Sequence, residues 1–564
     1  MNIRSTSFPE TVQSSDRPWV RQYASGMPSE LNPDVRSSLE AFDRCLATKP
    51  DARAVWYFDS PLTYRDLDNQ ATRLAHLWHA VIKRGDRVAI LNQNTPATVI
   101  ALVAAWRLGA TVMPLNPMLT RWELVHYLRD GEPRAAVVGI CQAGAFKEAV
   151  EEWGGEIAVV LAHLFDHLAP GDRPALLEAF KPNFDAPADW LTFASLPDPR
   201  GSLPMVELSA SDTALLTYTS GTTGRPKAAL NTHGNVSFSA EVYRRWLQLG
   251  EDDILFAAAP FSHITGLVAH IAAAFAAGLP LVTCYRFDAG TVLSLLHRHG
   301  CTTTVAAITA YISLLDHPQF DPKLLGAFRK LFSGGAPVSA SVVARWEAAT
   351  GVYIHNAYGL TETTSPTHLV PYGSRAPVDA DSDALSVGVP VPGTDCQIVD
   401  PETLQPLPSI HDIGEILIRG PQVVSGYWRN SEETDAAFRN GWLRTGDLGR
   451  SNESGWFFVV DRAKDVIVAS GFKVWPREVE LVLEAHPAIR EAAVVGVPDS
   501  YRGQAPKAFI VLRAGLTTTS ENVLSFCRER LAPYKLPRLM EFVAELPRNH
   551  SGKLLRRELR EKSI

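Results

Sequence analysis

Ten consecutive residues, Tyr218-Thr219-Ser220-Gly221-Thr222-Thr223-Gly224-Arg225-Pro226-Lys227, concentrate four Thr/Ser hydroxyls, two glycines and two cations. Glycines let a backbone turn sharply and bring its N–H groups close to a ligand. The hydroxyls add donors, and Arg225 and Lys227 add positive charge. Such a loop suits a polyphosphate. The apolar runs Ala214-Leu215-Leu216 and Ala228-Ala229-Leu230 predict a buried strand on each side of it. It is not the ordinary P-loop, which has four residues between its glycines and then Lys and Ser/Thr opening a helix. Here the glycines are three apart and Pro226 precedes Lys227. On composition alone, a flexible Gly/Ser/Thr linker competes with the phosphate reading.

The elements that must hold this loop follow a regular pattern from Leu62 onward. Thr63 and Asp66 give a capping-box signal, and Leu67, Ala71, Leu74, Trp78 and Val81 recur at helical spacing. Val88-Ala89-Ile90-Leu91 reads as a strand. Thr95-Pro96 opens a helix with a cap and a proline at its first turn, Gly109 ends it, and Thr111-Val112-Met113 is the next strand. Thr120 and Glu123 cap a further helix, before a strand over 135–138. This alternation predicts an α/β fold, a parallel or mixed sheet covered by helices. Residues 162–210, rich in Ala, Pro and Asp, read as a long surface excursion, and 372–386 as a polar loop. The strand pattern returns at 254–260, 281–284 and 302–308, and Gly414–Arg419 reads as an antiparallel-type strand. The apolar stretch 266–282 reads as a buried helix, too short and too interrupted for a membrane span.

At 564 residues the chain exceeds one compact core. We place a boundary at the charged run Asp461-Arg462-Ala463-Lys464-Asp465, giving a large domain over 1–460, a hinge over 461–466 and a small α+β domain over 467–564. A net charge of −7 offers no basic footprint for nucleic acid. Cys45, Cys141, Cys284, Cys301, Cys396 and Cys527 lie far apart without a C-x-x-C. They read as reduced core thiols with no zinc site. No secretory h-region is visible near the start. A cytoplasmic protein without a transmembrane segment is expected, with peripheral membrane contact left open and a monomer or homodimer as its state.

Six further motifs follow the loop in order: Ser333-Gly334-Gly335-Ala336-Pro337; Tyr358-Gly359-Leu360-Thr361-Glu362-Thr363; Trp442-Leu443-Arg444-Thr445-Gly446-Asp447; Asp461-Arg462-Ala463-Lys464-Asp465; Ser470-Gly471-Phe472-Lys473; and Pro547-Arg548-Asn549-His550-Ser551-Gly552-Lys553-Leu554. In identity, order and spacing they resemble the adenylate-forming superfamily of acyl-CoA synthetases, peptide-synthetase adenylation domains and beetle luciferases. The resemblance covers about 62–560. Arg17-Pro18-Trp19, the run from Ser470 to Pro476 with Glu478 and Glu480, and Val497-Pro498-Asp499 look most like a medium- to long-chain fatty acid–CoA ligase.

The resemblance implies an ATP-dependent reaction of a carboxylic acid to an acyl adenylate and pyrophosphate, followed by attack of the coenzyme A thiol. It implies that Thr219, Ser220, Gly221, Thr222, Thr223, Gly224 and Lys227 grip the β- and γ-phosphates, with Thr222 and Glu362 on the Mg²⁺ side, carboxylate oxygen being the hard ligand Mg²⁺ prefers. Thr361 is expected on the α-phosphate, Tyr358 stacked on adenine, Gly334, Gly335, Ala336 and Gly359 along the base, and Asn356 at its edge. Asp447 would accept the ribose hydroxyls, with Arg462 nearby. Lys553 would bridge carboxylate and α-phosphate, and Lys464 would be the hinge about which the small domain turns. That turn would bring Ser470, Gly471, Phe472 and Lys473 to the CoA arm. Arg502 and Lys507 are further candidates for its phosphates. His263 and Leu267 would border the acyl pocket, with Trp246 and 305–312 as candidate lining. Some long-chain ligases carry an aromatic gate where this chain has Leu267, so a gated tunnel does not follow.

Residue by residue, plainer readings stand beside these. Glu362 could partner a helix N-cap, Tyr358 and His263 could be core residues, Asp447 could be a turn residue, and Lys553 could belong to a solvated basic tail with Arg548, Arg556, Arg557 and Arg560. At the level of function, three alternatives remain: loading an acyl carrier protein thiol, activating an aryl acid, or sensing a nucleotide or acyl group without catalysis. The chain has no G-x-S-x-G for a serine hydrolase and no G-x-G-x-x-G for a dinucleotide enzyme.

Overall fold

The computed structural model describes residues 17–563, apart from 200, 205, 220–225, 408, 411, 463–464, 470–471, 500–502, 532–534 and 549–553. Two large sheets carry the bulk of the chain. The first has seven strands in the order Leu191–Thr192, Ala158–Ala162, Ala135–Gly139, Arg87–Leu91, Thr111–Leu115, Thr213–Thr219 and Lys227–Thr232. Every pairing is parallel except the last, a hairpin in which Thr219 faces Lys227. The second has nine strands, parallel through its middle and antiparallel at both ends. Its strands Thr303–Ala306, Lys330–Ser333 and Ile354–Leu360 lead to the candidate site.

Apolar burial joins these layers. The helix Pro96–Arg107 is buried from Pro96 to Trp106, as expected of a helix that is apolar all round. The helix His233–Trp246, entered through a capping box at Thr232, packs in the same core. The capping boxes at Thr63/Asp66 and Thr120/Glu123 form as the sequence predicts. Gly266–Ala272 is a buried π-helix running into an α-helical turn at Ala273–Ala277. Gly414–Arg419 lies between antiparallel neighbours in a separate five-stranded sheet.

Some expectations need correction. The helix after Thr63 ends at Trp78, so Val81 lies beyond it and is exposed. Thr95 makes no side-chain cap to its helix; its hydroxyl accepts from Asn92 Nδ2 at 2.7 Å instead. The 162–210 segment is not all surface: Leu191–Thr192 adds an edge strand, and Leu177, Phe193 and Leu196 are buried. Cys141 is exposed, whereas the other five cysteines are buried.

After the strand Phe457–Arg462 the chain builds another five-stranded sheet. It contains Ile467–Ala469, Phe472–Val474, Ile489–Asp499, Gly503–Leu512 and Leu539–Phe542. The helices Pro476–Glu484, Ser520–Arg528 and Arg556–Glu561 accompany it. Two small apolar clusters, around Ile489 and Val494 on one face and Val495 and Phe509 on the other, form a core of their own. Among the described residues, no helix is long and apolar enough to cross a membrane.

Candidate active site

The strands Thr213–Thr219 and Ile354–Leu360 belong to different sheets, yet Asn231, on the strand paired with the first, meets the turn at the end of the second. Ligands of open α/β sheets bind beyond the carboxyl ends of strands. Here Asn231, fully buried on the hairpin's second strand, donates from Nδ2 to Thr361 O at 3.0 Å and to Thr364 Oγ1 at 2.9 Å. These bonds tie the hairpin to the turn that carries Glu362. Tyr218, at the end of the first strand, is fixed by its hydroxyl bond to Asp130 Oδ2 at 2.7 Å and by edge contact with Tyr127.

Thr361–Thr363 form a short 3-10 turn, not the start of an α-helix. Two non-glycine residues with positive φ follow directly, Thr364 at 50° and Ser365 at 88°. Strained backbone of this kind persists only where its surroundings over-determine it, and it collects at functional sites. The strand reverses so tightly here that a Cβ on Gly359 would stand 1.6 Å from Ser365 O. No other residue fits.

Glu362 is half-buried and accepts a hydrogen bond at Oε1 from the Tyr427 hydroxyl at 2.9 Å. Tyr427 lies along the free edge of the hairpin: Leu230 N donates to Gly426 O at 3.1 Å and Trp428 N to Ala228 O at 2.8 Å. Lys227 stands 5.5 Å from the centre of the Tyr427 ring and is ion-paired with Glu433. Thr219 is half-buried opposite Lys227. Ser220, Gly221, Thr222, Thr223 and Gly224 lie outside the described residues.

On the other flank, Gly334 and Gly335 follow the strand Lys330–Ser333, with Gly335 exposed and Gly334 and Ala336 half-buried. A Cβ on Gly334 would reach within 2.9 Å of Ala357 O, so this turn lies against the strand that carries Tyr358. The half-buried Tyr358 donates its hydroxyl to Asp447 Oδ2 at 2.6 Å. Asp447 is held in turn: its N–H bonds Thr445 Oγ1 at 3.1 Å, and Gly446 N bonds Glu415 Oε1 at 3.1 Å. Arg462 faces Asp447 across a strand pair. Asn356 is 3% exposed; its Nδ2 donates to Ser386 O and its Oδ1 accepts from Ala357 N, both at 3.0 Å, which fixes the orientation of its amide.

His263 is half-buried, with Nδ1 accepting from Thr265 N at 3.3 Å, and Leu267 follows in the π-helix. Irregular turns of that kind are frequent at functional sites. Trp246 is buried, with its indole N–H bonded to Val370 O at 3.0 Å, which makes it a core residue. Lys507 is ion-paired with Glu541 at 2.9 Å. Lys464, Ser470, Gly471, Arg502 and Lys553 lie outside the described residues, and Phe472 and Lys473 enter only as a strand. The sequence reading missed Asn231, Glu415, Tyr427 and Glu433. A glycine before two aromatics, Gly426-Tyr427-Trp428, was the one signal for Tyr427; Asn231 offered none.

Comparison with known proteins fits this geometry. Residues 42–428 match the model of the AMP-binding enzyme family, and 478–553 match that of the AMP-binding enzyme C-terminal domain. A long-chain-fatty-acid–CoA ligase of Bacillus subtilis is 35% identical, over 97% of this chain and 98% of that one. A feruloyl-CoA synthase of Amycolatopsis is also 35% identical, over 91% of this chain and 96% of its own length. The crystal structure of an anthranilate CoA ligase in complex with anthranoyl-AMP superposes with a TM-score of 0.82 at 27% identity, covering 96% of this chain and 98% of that chain.

Proposed function

Because this chain belongs to the AMP-binding enzyme family, we propose that it is an AMP-forming acid–CoA ligase acting on a medium- or long-chain fatty acid. In the first half-reaction a carboxylate oxygen of the acid attacks the α-phosphorus of ATP and pyrophosphate leaves. In the second, the CoA sulfur attacks the acyl carbonyl, AMP leaves, and the thiol proton passes to solvent. The observation that carries this reading is the bond between Tyr358 and Asp447. It joins an aromatic face suited to adenine with a carboxylate suited to two ribose hydroxyls, at the open end of the sheet.

The residues divide the work by charge. Lys227 and the loop at 219–224 bind the departing phosphates, and Thr361 meets the α-phosphate. Glu362 is a single carboxylate, and among the described residues no group of three or more His, Cys, Asp or Glu could hold a metal. That donor set fits Mg²⁺, which binds through one or two carboxylates and takes its other ligands from phosphate and water. Glu362 and Thr222 would hold it, and it would offset charge on the phosphates. Lys553 bridges the reacting carboxylate and the α-phosphate, a preorganised electrostatic contact of the kind worth about 3–4 kcal/mol. Lys464 is the hinge of a rotation that exchanges Lys553 for the segment from Ser470 to Lys473, hinges being few residues at element ends. His263 and Leu267 border the acyl group. The enzyme would work in the cytoplasm, as a monomer or homodimer.

A fatty acid is favoured by the fatty-acid ligase that covers nearly the whole chain, while the feruloyl-CoA synthase of equal identity supports an aryl acid as the second reading. Pyrophosphate release from ATP, measured with aliphatic acids of graded length, aryl acids and amino acids, with and without CoA, separates these. Turnover with aliphatic acids of about eight carbons or more that rises on adding CoA is expected. Preference for aryl acids would replace the fatty-acid assignment. Release that requires an acyl carrier protein would replace CoA as acceptor, and no release with any acid would leave a binding protein.

A further inference from the structure

Tyr427 stands between two groups of opposite charge that an adenylating site must keep apart. Its hydroxyl donates to Glu362 Oε1 at 2.9 Å, and its ring face lies 5.5 Å from Lys227 Nζ. Paired directly, Lys227 and Glu362 would neutralise each other and leave neither for phosphate or metal. Instead the Lys227 charge is met by Glu433.

The tyrosine is well anchored. It is 9% exposed, its N–H donates to Thr434 Oγ1 at 3.0 Å, and its neighbours bond the hairpin edge on both sides. Thr434 Oγ1 donates in turn to Asn430 O at 2.7 Å, and Asn430 Oδ1 accepts from Glu433 N at 3.2 Å. One short turn therefore fixes the tyrosine and the lysine's counterion together. A Cβ on Gly426 would stand 2.5 Å from Thr434, so the approach of this turn requires glycine there.

We propose that Tyr427 is a positioning residue of the adenylating site, separating Lys227 from Glu362 and fixing the carboxylate so that its second oxygen is presented to a phosphate-bound divalent cation. The proposal rests on the adenylating reading above and deepens it by assigning the residue that sets the metal side. The hydrogen bond from the Tyr427 hydroxyl occupies one lone pair of Oε1, which restricts how the carboxylate can turn. Lys227 passes from Glu433 to the phosphates when nucleotide enters, while Glu362 stays in place.

The test is calorimetric binding of ATP to the full chain, with Mg²⁺ and with EDTA, for the wild type, Tyr427→Phe, Glu362→Gln and the double variant. Phenylalanine keeps the ring over Lys227 and removes only the bond to Glu362. We expect Tyr427→Phe to weaken MgATP binding about tenfold, the scale of a lost bond to a charged acceptor. Metal-free ATP binding should stay within about twofold, and the double variant should bind MgATP no more weakly than Glu362→Gln alone, since coupled sites are not additive. Equal loss with and without Mg²⁺, full additivity, or unchanged MgATP binding in Tyr427→Phe would overturn the proposal. If Tyr427→Phe unfolds, Thr434→Val, which loosens the same turn from outside the site, must reproduce the selective loss, and failure to do so would overturn it too. A wild type that binds no ATP under either condition would remove the adenylating reading itself and this inference with it.

Discussion

Tyr358 and Asp447, 89 positions apart in the chain, are joined by a hydrogen bond of 2.6 Å between phenol and carboxylate. The bond makes an aromatic ring suited to adenine and a carboxylate suited to ribose hydroxyls parts of one surface. If that surface binds AMP, Tyr358→Phe keeps the stacking ring and removes this bond to Asp447. AMP affinity should fall about tenfold or more, the scale of a lost bond to a charged acceptor. Tyr358→Leu, which also removes the ring, should fall further. Titration calorimetry with AMP decides this, and unchanged affinity in both variants would place the base elsewhere.

Among the described residues, burial keeps five histidines uncharged. It lowers His167, His233, His270 and His355 to about 4 and His368 to about 3, from an ordinary 6.5. Between about pH 4 and 6.5 the unfolded chain binds protons that the native chain refuses, so stability rises with pH across that window and is lost as pH falls through it. Each such histidine adds up to about 1.4 kcal/mol per pH unit. Carboxylates such as Asp253, where bonds to Lys330, Gly250 N–H and Thr302 outweigh the effect of burial, act only below their ordinary 3.8. Urea unfolding at pH 7, 6 and 5 should therefore show a fall carried mainly by these histidines and not by carboxylates such as Asp253. His368→Gln should reduce that slope by about one proton; an unaltered slope would mean that His368 titrates in the native state.

Lys553 and Lys464 yield a prediction through the half-reactions. Lys553→Ala should abolish adenylate formation, measured as pyrophosphate exchange, while largely sparing thioester formation from supplied acyl-AMP. Lys464→Pro should do the reverse and slow the thioester step more, because proline restricts the backbone at the hinge. Equal losses in both steps for either variant would count against domain rotation.

What the sequence revealed and what it hid follow physical lines. The strands and capped helices around Thr63, Thr120 and Thr213–Thr219 were legible because capping boxes and apolar periodicity are local signals. Tyr358, Glu362 and Asp447 were legible because each lies in a short motif. Their partners were not. Tyr427 reaches Glu362 across 65 positions, and Asn231 reaches Thr361 across 130, through tertiary contacts without a local pattern. The anchoring of the Asn356 amide by Ser386 O was likewise not legible, since its partner lies 30 positions away. The strained pair Thr364–Ser365 was also invisible, since neither residue type announces a positive φ.

Arg556 links the C-terminal helix Arg556–Glu561 to the strand Ile489–Asp499 and the helix Pro476–Glu484. It pairs with Glu480, donating from Nη2 to Oε2 at 3.0 Å and from Nη1 to Val494 O at 2.8 Å, and lies 3.7 Å from Asp465. Glu480 and Asp465 are 2% and 6% exposed, so their charges depend on such partners. Removing one member of a buried pair costs up to about 3–5 kcal/mol, less here because Arg477 still meets Glu480 and Arg560 still meets Asp465, whereas removing both is often neutral. Arg556→Met should therefore destabilise the small domain alone, because its apolar clusters are separate from those of the large sheets. Hydrogen exchange should accelerate in the strands Ile489–Asp499 and Gly503–Leu512 and stay unchanged in Arg87–Leu91. Glu480→Met added to Arg556→Met should recover much of the loss, although the bond from Val494 N to Glu480 Oε1, 2.8 Å, goes with it. Acceleration spread equally over both regions would show that the two cores unfold as one unit, and no recovery in the double variant would show that the arginine stabilises through packing instead of charge.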